Sequence, residues 1–268
     1  MPVSQRTGGL LGAALALVGK RLSLGDIMRS DVEPRGSGIR TGEPDIVGRS
    51  KRLWLREGGT CLVELVPSLR SFTYRRDELV AATGKLRLDF YELAAARLAD
   101  SGVRTAFRAR VGDIRYLADY RPAPPFEVIV KNVATGSTIR KYPGLFEEGY
   151  RFSPPVVKFD YRVDPEDQPI GEDYLRAAGV PVAAFHEVAL RCNRVLTEWL
   201  SPLDLWDFCL VVAVDTDGEP IIISEVSPDC MRLRSEDGRA LDKDLFRAGA
   251  DHDTIVAQWR ELIDRVRG

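Results

Sequence analysis

Short apolar runs broken by Gly- and Pro-rich turns alternate along this chain with longer stretches of helical spacing. Lys51–Leu55 and Thr60–Val66 flank Glu57-Gly58-Gly59, a pattern that predicts a β-hairpin. Leu86, Phe90, Leu93, Ala94 and Leu98 fall on one helical face, and Gly102 stops that helix. Arg121-Pro122-Ala123-Pro124-Pro125 is stiffened by its proline rings and predicts a connector between two lobes. Phe126–Val130 and Val156–Tyr161 predict strands. Pro181–Leu200 predicts a long amphipathic helix with Phe185, Val188, Ala189, Cys192, Val195, Leu196 and Trp199 on or near one face. Leu203–Val214 and Pro220–Val226 predict a second hairpin that turns at Asp215–Gly218, and Thr254–Val266 predicts a closing helix. This order of elements predicts an α+β fold with antiparallel or mixed sheets and flanking helices. It divides into an N-terminal extension and linker (1–40), an N-terminal lobe (41–121) and a C-terminal lobe (122–268).

Composition changes this picture little. With 268 residues, 44% hydrophobic and 29% charged, the chain can bury a sizeable core without disulfides or metals. A net charge of −2 offers no global pull on nucleic acid or an anionic membrane. Leu10–Val18 is apolar, but these nine residues fall short of the roughly 20 that span a bilayer. They predict a packed or partner-facing helical extension, and residues 30–47 read as a linker. Cys61, Cys192, Cys209 and Cys230 show no C-x-x-C spacing, which predicts buried free thiols in a reducing cytoplasm. His186 and His252 are isolated in sequence and suggest no Ser-His or Cys-His nucleophile.

Four polar stretches carry candidate chemistry. Gly48-Arg49-Ser50-Lys51 opens the first strand with two cations on one face, suited to a phosphate; the plain alternative is a solvated strand edge. Lys131–Lys141 ends a buried strand in a Gly/Ser/Thr turn flanked by cations, which suits a phosphate or carboxylate but matches neither a Walker A loop nor a dinucleotide fingerprint. Ser224–Arg232 runs from a strand into a Ser-Pro-Asp turn and an Arg, a favoured place for site residues. Leu241–Arg247 is a charged turn.

Together these stretches resemble the SAICAR synthetase family. Its Glu-Val-Val-Val-Arg-Asn-x-Ala-x-Gly-Ser pattern is similar to Glu127–Ser137, and its Asp-Glu-x-Ser-Pro-Asp-x-x-Arg to Ser224–Arg232. Its Leu-Asp-Lys-Asp-x-Phe-Arg is similar to Leu241–Arg247, and its Gly-Lys-x-Lys to Gly48–Lys51. The four occur in order over about residues 45–266. The resemblance implies a two-lobed fold related to ATP-grasp enzymes. It implies a ligase that joins a carboxyaminoimidazole ribonucleotide to the amine of aspartate, with ATP and Mg²⁺. It places Lys131, Ser137, Arg162, Arg232 and Arg247 at the nucleotide substrate, Asp229 near the reacting end, and Arg49 and Lys51 at ATP phosphates. The family often forms oligomers, for which an N-terminal apolar helix is suited.

The departures fall mainly on the ATP and metal side. Where the family has Asp-Phe-Lys-Leu-Glu-Phe, this chain has Asp207–Val212, so the metal-binding Glu is replaced by Val211. The family's second metal carboxylate is replaced by Ser224, and strand alternation predicts that Glu225 points to the opposite face. Mg²⁺ is typically held by one or two carboxylates plus substrate phosphates, so no metal ligand is assigned, and Asp204, Asp207 and Asp215 are the nearby substitutes. The family's loop after the second strand is replaced by Val66–Ser71, its Asn-Asn-Lys by Arg87–Asp89 and its Asp-Pro-x-x-Asn-Glu by Gln168–Glu172. Three readings stay open: an amide-forming ligase on a phosphoribosyl-type or heteroaromatic carboxylate, an ATP-independent enzyme that reuses the nucleotide site, and a non-catalytic nucleotide-binding homologue.

Overall fold

A computed structural model describes residues 42–71, 73–164 and 166–267. The apolar run at 10–18 and the linker up to residue 41 lie outside the described residues. The end of the predicted linker is already sheet, because β1 (Ile46–Val47) pairs with β2 (Lys51–Arg56).

β2 and β3 (Thr60–Leu65) form the first hairpin, from Lys51 opposite Leu65 to Arg56 opposite Thr60. Gly58 and Gly59 turn it with φ of +74° and +68°, a backbone region that β-carbons disfavour. A small ribbon follows, β4 (Ser68–Ser71) against β5 (Arg76–Leu79). The helix α1 (Thr83–Asp100) buries Leu88, Phe90, Tyr91, Ala94 and Leu98. It ends at Gly102 (φ +70°), where the amides of Gly102 and Val103 cap the carbonyls of Ala99 and Leu98. β6 (Phe107–Arg110) and β7 (Arg115–Asp119) complete an antiparallel sheet in the order β1-β2-β3-β7-β6.

Beyond the proline-rich connector come β8 (Phe126–Val133), α2 (Ser137–Lys141), β9 (Arg151–Tyr161) and β10 (Gln168–Pro169). Then follow α3 (Glu172–Ala177), α4 (Val182–Leu200) and β11 (Asp204–Leu210). The predicted strand Leu203–Val214 is broken at Val211. Its end, β12 (Val212–Val214), leaves the sheet and pairs with β13 (Pro220–Ile222). The physical reason is local: the Val211 amide donates to Ser224 Oγ at 3.0 Å instead of a ladder partner. The predicted strand Pro220–Val226 accordingly stops near Ile222, with one last backbone bond from the Ile223 amide to the Val211 carbonyl at 2.9 Å, and residues 224–226 are not strand. β14 (Met231–Arg234) closes a second antiparallel sheet, β10-β9-β8-β11-β14, and α5 (Asp244–Arg247) and α6 (His252–Arg267) end the chain.

Period-two alternation gives the second sheet two unlike faces. Phe126, Val128 and Val130 of β8 point into the core, where the Phe126 ring meets Phe159 and Phe185. Glu127, Ile129 and Lys131 point the other way, beside Asp160 and Lys158 of β9, Asp207 and Cys209 of β11, and Arg232 of β14. One continuous apolar core joins both sheets to α1, α4 and α6. The polar face of the second sheet is left facing the first, and the candidate chemistry collects there.

Candidate functional site

Two cavities adjoin along this face, and Arg247 lines both. The larger, of about 650 Å³, lies between the sheets and falls within the range of small-molecule sites. Ile46, Leu53, Val63, Val211 and Ile223 form an apolar wall, Arg49, Lys51, Arg162, Lys243 and Arg247 supply cations, and Asp119, Glu127, Asp167, Glu225 and Asp229 are the carboxylates. An apolar slot beside clustered cations suits a flat heteroaromatic group that carries phosphates.

The floor of this cavity is a network of buried charges. Glu225 accepts from Arg87 Nε at 3.1 Å and from Arg87 Nη2, and it pairs with Lys51 Nζ. Arg87 itself is fully buried behind the wall. Burial would raise the Glu225 carboxyl, but Arg87 and Lys51 outweigh it and hold the group well below the usual carboxylate range. Asp229 pairs with Lys243 at 2.8 Å and lies 4.0 Å from Arg87. Burial again acts upward there, and Lys243 and Arg87 keep the group ionised. Higher on the wall the balance reverses: burial pushes Glu127 up, helped by the charge of Asp167. The Cys209 thiol is also pushed up, by its hydrogen bond with Cys230 and by burial. All four cysteines are free, with Cys61 and Cys192 buried and Cys209 and Cys230 half-buried.

The smaller cavity, of about 420 Å³, is lined by Arg70, Arg140, Arg232, Arg234 and Arg247, with Ser137 at the start of α2. Asp244 and Glu148 are the two carboxylates on its wall. Arg232 reaches both oxygens of Asp207, at 2.7 and 3.0 Å, and lies 3.2 Å from Asp244. Gly136 takes φ +58°, and a β-carbon there would come within 2.7 Å of Arg232 Nη2. The turn can thus press its backbone against the guanidinium. Planar donors around a Gly-Ser turn match a phosphate.

The residues expected from sequence divide between these cavities. Arg49, Lys51, Arg162, Asp229 and Arg247 line the larger one, and Ser137, Arg232 and Arg247 the smaller. Arg162, expected beside Ser137 and Arg232, instead shares a cavity with Arg49 and Lys51 and donates to the Pro124 carbonyl. Lys131 lines neither cavity. It lies opposite Asp207 in the ladder and is buried, with Nζ 2.7 Å from that carboxylate. Lys131 therefore acts on Arg232 through Asp207, which holds both cations. The alternation expected for Ser224 and Glu225 does not apply, because this segment is not a strand, and both side chains line the larger cavity.

Sequence reading missed Arg234, and it quoted Arg87 and Arg70 only within the departures Arg87–Asp89 and Val66–Ser71, with no role given to either. Arg87 lies between two leucines on a helix, and no local pattern shows what it faces. Arg140 and Lys243 were already inside the quoted stretches.

Mg²⁺, which the family resemblance brings, does not fit the residues present. Val211 has no donor atom, and the Ser224 hydroxyl accepts the Val211 amide. Glu225 and Asp229 are neutralised by Arg87, Lys51 and Lys243, and of the cavity's other carboxylates Asp119 is paired with Arg108 while burial pushes Glu127 and Asp167 up, against the charged form a metal needs. The substitutes are committed elsewhere and line neither cavity: Asp204 to Arg151 and Trp206, Asp207 to Lys131 and Arg232, and Asp215 to Arg104. Among the described residues, no group of three His, Cys, Asp or Glu side chains is placed to hold a metal ion. No described helix is long and apolar enough to cross a membrane.

Comparison with known proteins bears on this geometry. The SAICAR synthetase family model matches residues 46–265. A phosphoribosylaminoimidazole-succinocarboxamide synthase of Methanopyrus kandleri is 36% identical over 177 residues, 63% of this chain and 70% of that protein. The enzyme of the same name from Bacillus mycoides is 30% identical over 230 residues, 82% of this chain and 95% of that protein. A solved SAICAR synthetase in complex with ADP superposes with a TM-score of 0.76 at 25% identity, covering 82% of this chain and 96% of that one.

Proposed function

This chain belongs to the SAICAR synthetase family, and on that premise we propose that it joins the carboxylate of a phosphoribosyl-bearing heteroaromatic ring to an amine, forming an amide. The observation that carries the reading is the pair of adjoining cavities that share Arg247. The smaller takes the ribosyl phosphate between Ser137, Arg232 and Arg247. The ring and its carboxylate then point toward the junction, where Asp229 and Lys243 stand. The larger cavity takes the nucleotide polyphosphate, with the base on the apolar wall and the phosphates toward Arg49 and Lys51. That ligand, when bound, supplies the activation of the carboxylate.

The residues of this chain then have separate tasks. Asp207 holds Arg232 in the plane that meets a phosphate. Asp229 is kept ionised by Lys243, so it is a weak base, and it holds the Lys243 ammonium at the junction rather than taking a proton from the amine. The lobes of this reading are 41–121 and 122–268, each built on one sheet, 46–119 and 126–234, with the connector 121–125 between them. An ATP-independent enzyme on the same ribonucleotide is the second reading, favoured by the poor fit of Mg²⁺.

Calorimetry with carboxyaminoimidazole ribonucleotide tests the proposal. Binding is expected, with a loss of at least tenfold in Arg232→Ala. Equal affinity in the variant, or no binding to the parent protein, removes the ribonucleotide from the smaller cavity. Amide formation followed by mass spectrometry, with and without ATP, separates the two readings.

A further inference from the structure

The charges at the floor of the larger cavity can be read further than the family assignment. Lys51, Arg87 and Lys243 stand over two carboxylates, Glu225 and Asp229, and so leave one positive charge on a rigid base. The base is rigid because Arg87 and Glu225 are both buried, and because the Arg87 Nη1 donates to the Val66 carbonyl at 3.0 Å. Lys243 is fixed from its own backbone, whose amide donates to the Pro228 carbonyl at 3.1 Å, one residue before Asp229. Above this floor, Arg49, Arg121, Arg162 and Arg247 line the same cavity with three further carboxylates, Asp119 paired with Arg108, and Glu127 and Asp167 pushed up by burial.

A divalent ion placed here would have to displace Lys51 or Lys243 from its carboxylate. Arg87 cannot leave to make room, and its charge would repel the ion across a poorly solvated gap. Val211 and the committed Ser224 hydroxyl offer no compensating ligand. An anion faces the opposite situation: it meets lysine ammonium groups already held at the cavity wall, with no dication needed to neutralise it.

We propose that the larger cavity binds a nucleoside polyphosphate as its metal-free anion, with Lys51 and Lys243, held in place by Glu225–Arg87 and Asp229, standing where a divalent cation would otherwise be required. Glu225 and Arg87 are positioning residues in this arrangement, and Lys51 and Lys243 contact the phosphates. The inference rests on the reading of the larger cavity as the polyphosphate site. It does not depend on the identity of the ribonucleotide.

The experiment is calorimetric titration of the full chain with ADP, once in excess MgCl₂ and once in EDTA. The expected result is binding in both, with dissociation constants within about threefold of each other. Lys243→Met is expected to weaken ADP at least tenfold in both buffers, with its thermal melt showing that it folds. The Mg²⁺/EDTA comparison needs no variant and stands if Lys243→Met fails to fold. A tightening of more than threefold by Mg²⁺ overturns the proposal, as does the absence of ADP binding in both buffers. Unchanged ADP affinity in folded Lys243→Met overturns the role of that lysine at the phosphates. Failure of the ribonucleotide reading looks different: carboxyaminoimidazole ribonucleotide fails to bind while ADP still does.

Discussion

Single side chains in this protein act mainly by holding other side chains. Asp207 is buried between Lys131 and Arg232, and the half-buried Asp244 pairs with Arg232, Arg234 and Arg247, so the arginines of the smaller cavity arrive pre-oriented. Gly136 is the residue that lets a ligand come close. Replacing it with Ala demands φ +58° with ψ −116°, a strained backbone that costs about 1–3 kcal/mol for a residue with a β-carbon. It also drives that carbon to 2.7 Å from Arg232 Nη2. Gly136→Ala is therefore expected to weaken a ribosyl phosphate by about tenfold, or roughly 1.4 kcal/mol. Its affinity for ADP should stay as it was, since Gly136 lies outside the larger cavity. A titration of each ligand reads both outcomes.

At the scale of elements, α1 links packing to chemistry. Its first turn is set by Gly84, where a β-carbon would lie 2.7 Å from the Leu65 carbonyl of β3 and 3.3 Å from Ile114. Helix propensity favours Ala over Gly by about 1 kcal/mol, and overpacking against fixed backbone typically costs about 1–3 kcal/mol. The clash wins because its partner is backbone. Gly84→Ala is expected to lower stability by up to about 2 kcal/mol in chemical denaturation. It should also weaken ADP, because Arg87 follows one turn later and the helix can only move away from β3. The broken strand at Val211 shows a second link of this kind. One serine hydroxyl turned toward one amide accompanies the departure of β12 from the second sheet, and residues 223–225 line the cavity.

Across the whole molecule, folding and site formation share the same buried charges. Glu225, Asp229 and Asp207 are all held below their ordinary values, against the effect of burial, by neighbouring cations. An unfolded chain takes up protons first as the pH falls through those ordinary values, so each group stabilises the fold above that range and loses its contribution as the pH drops toward its folded value. Glu127 and Asp167, raised by burial, work in the opposite sense. The clean measurement is thus a difference. Glu225→Gln should lose about 3–5 kcal/mol at pH 7, the range for leaving a buried partner unpaired. Its gap to the parent protein should narrow as the pH falls below 4.5, the ordinary value for Glu. A gap that stays constant from pH 7 to pH 3 would mean that Glu225 does not carry this charge.

The hairpin at 51–65, the helices at 83–100, 182–200 and 252–267, and the α+β class were legible in sequence because each rests on local periodicity and turn chemistry. The four polar stretches were legible too, since a family pattern is a property of neighbours along the chain. What local pattern does not encode is which charge faces which across the fold. Arg87 and Glu225 are 138 positions apart, and Lys131 and Asp207 are 76 apart. Strand alternation sent Glu225 away from the site because it assumed a strand that the Ser224 hydroxyl ends. The sequence determined the elements and the residue types. The packing of the two sheets decided which cations are held behind the wall, which face a ligand, and that the carboxylates beside them are already neutralised.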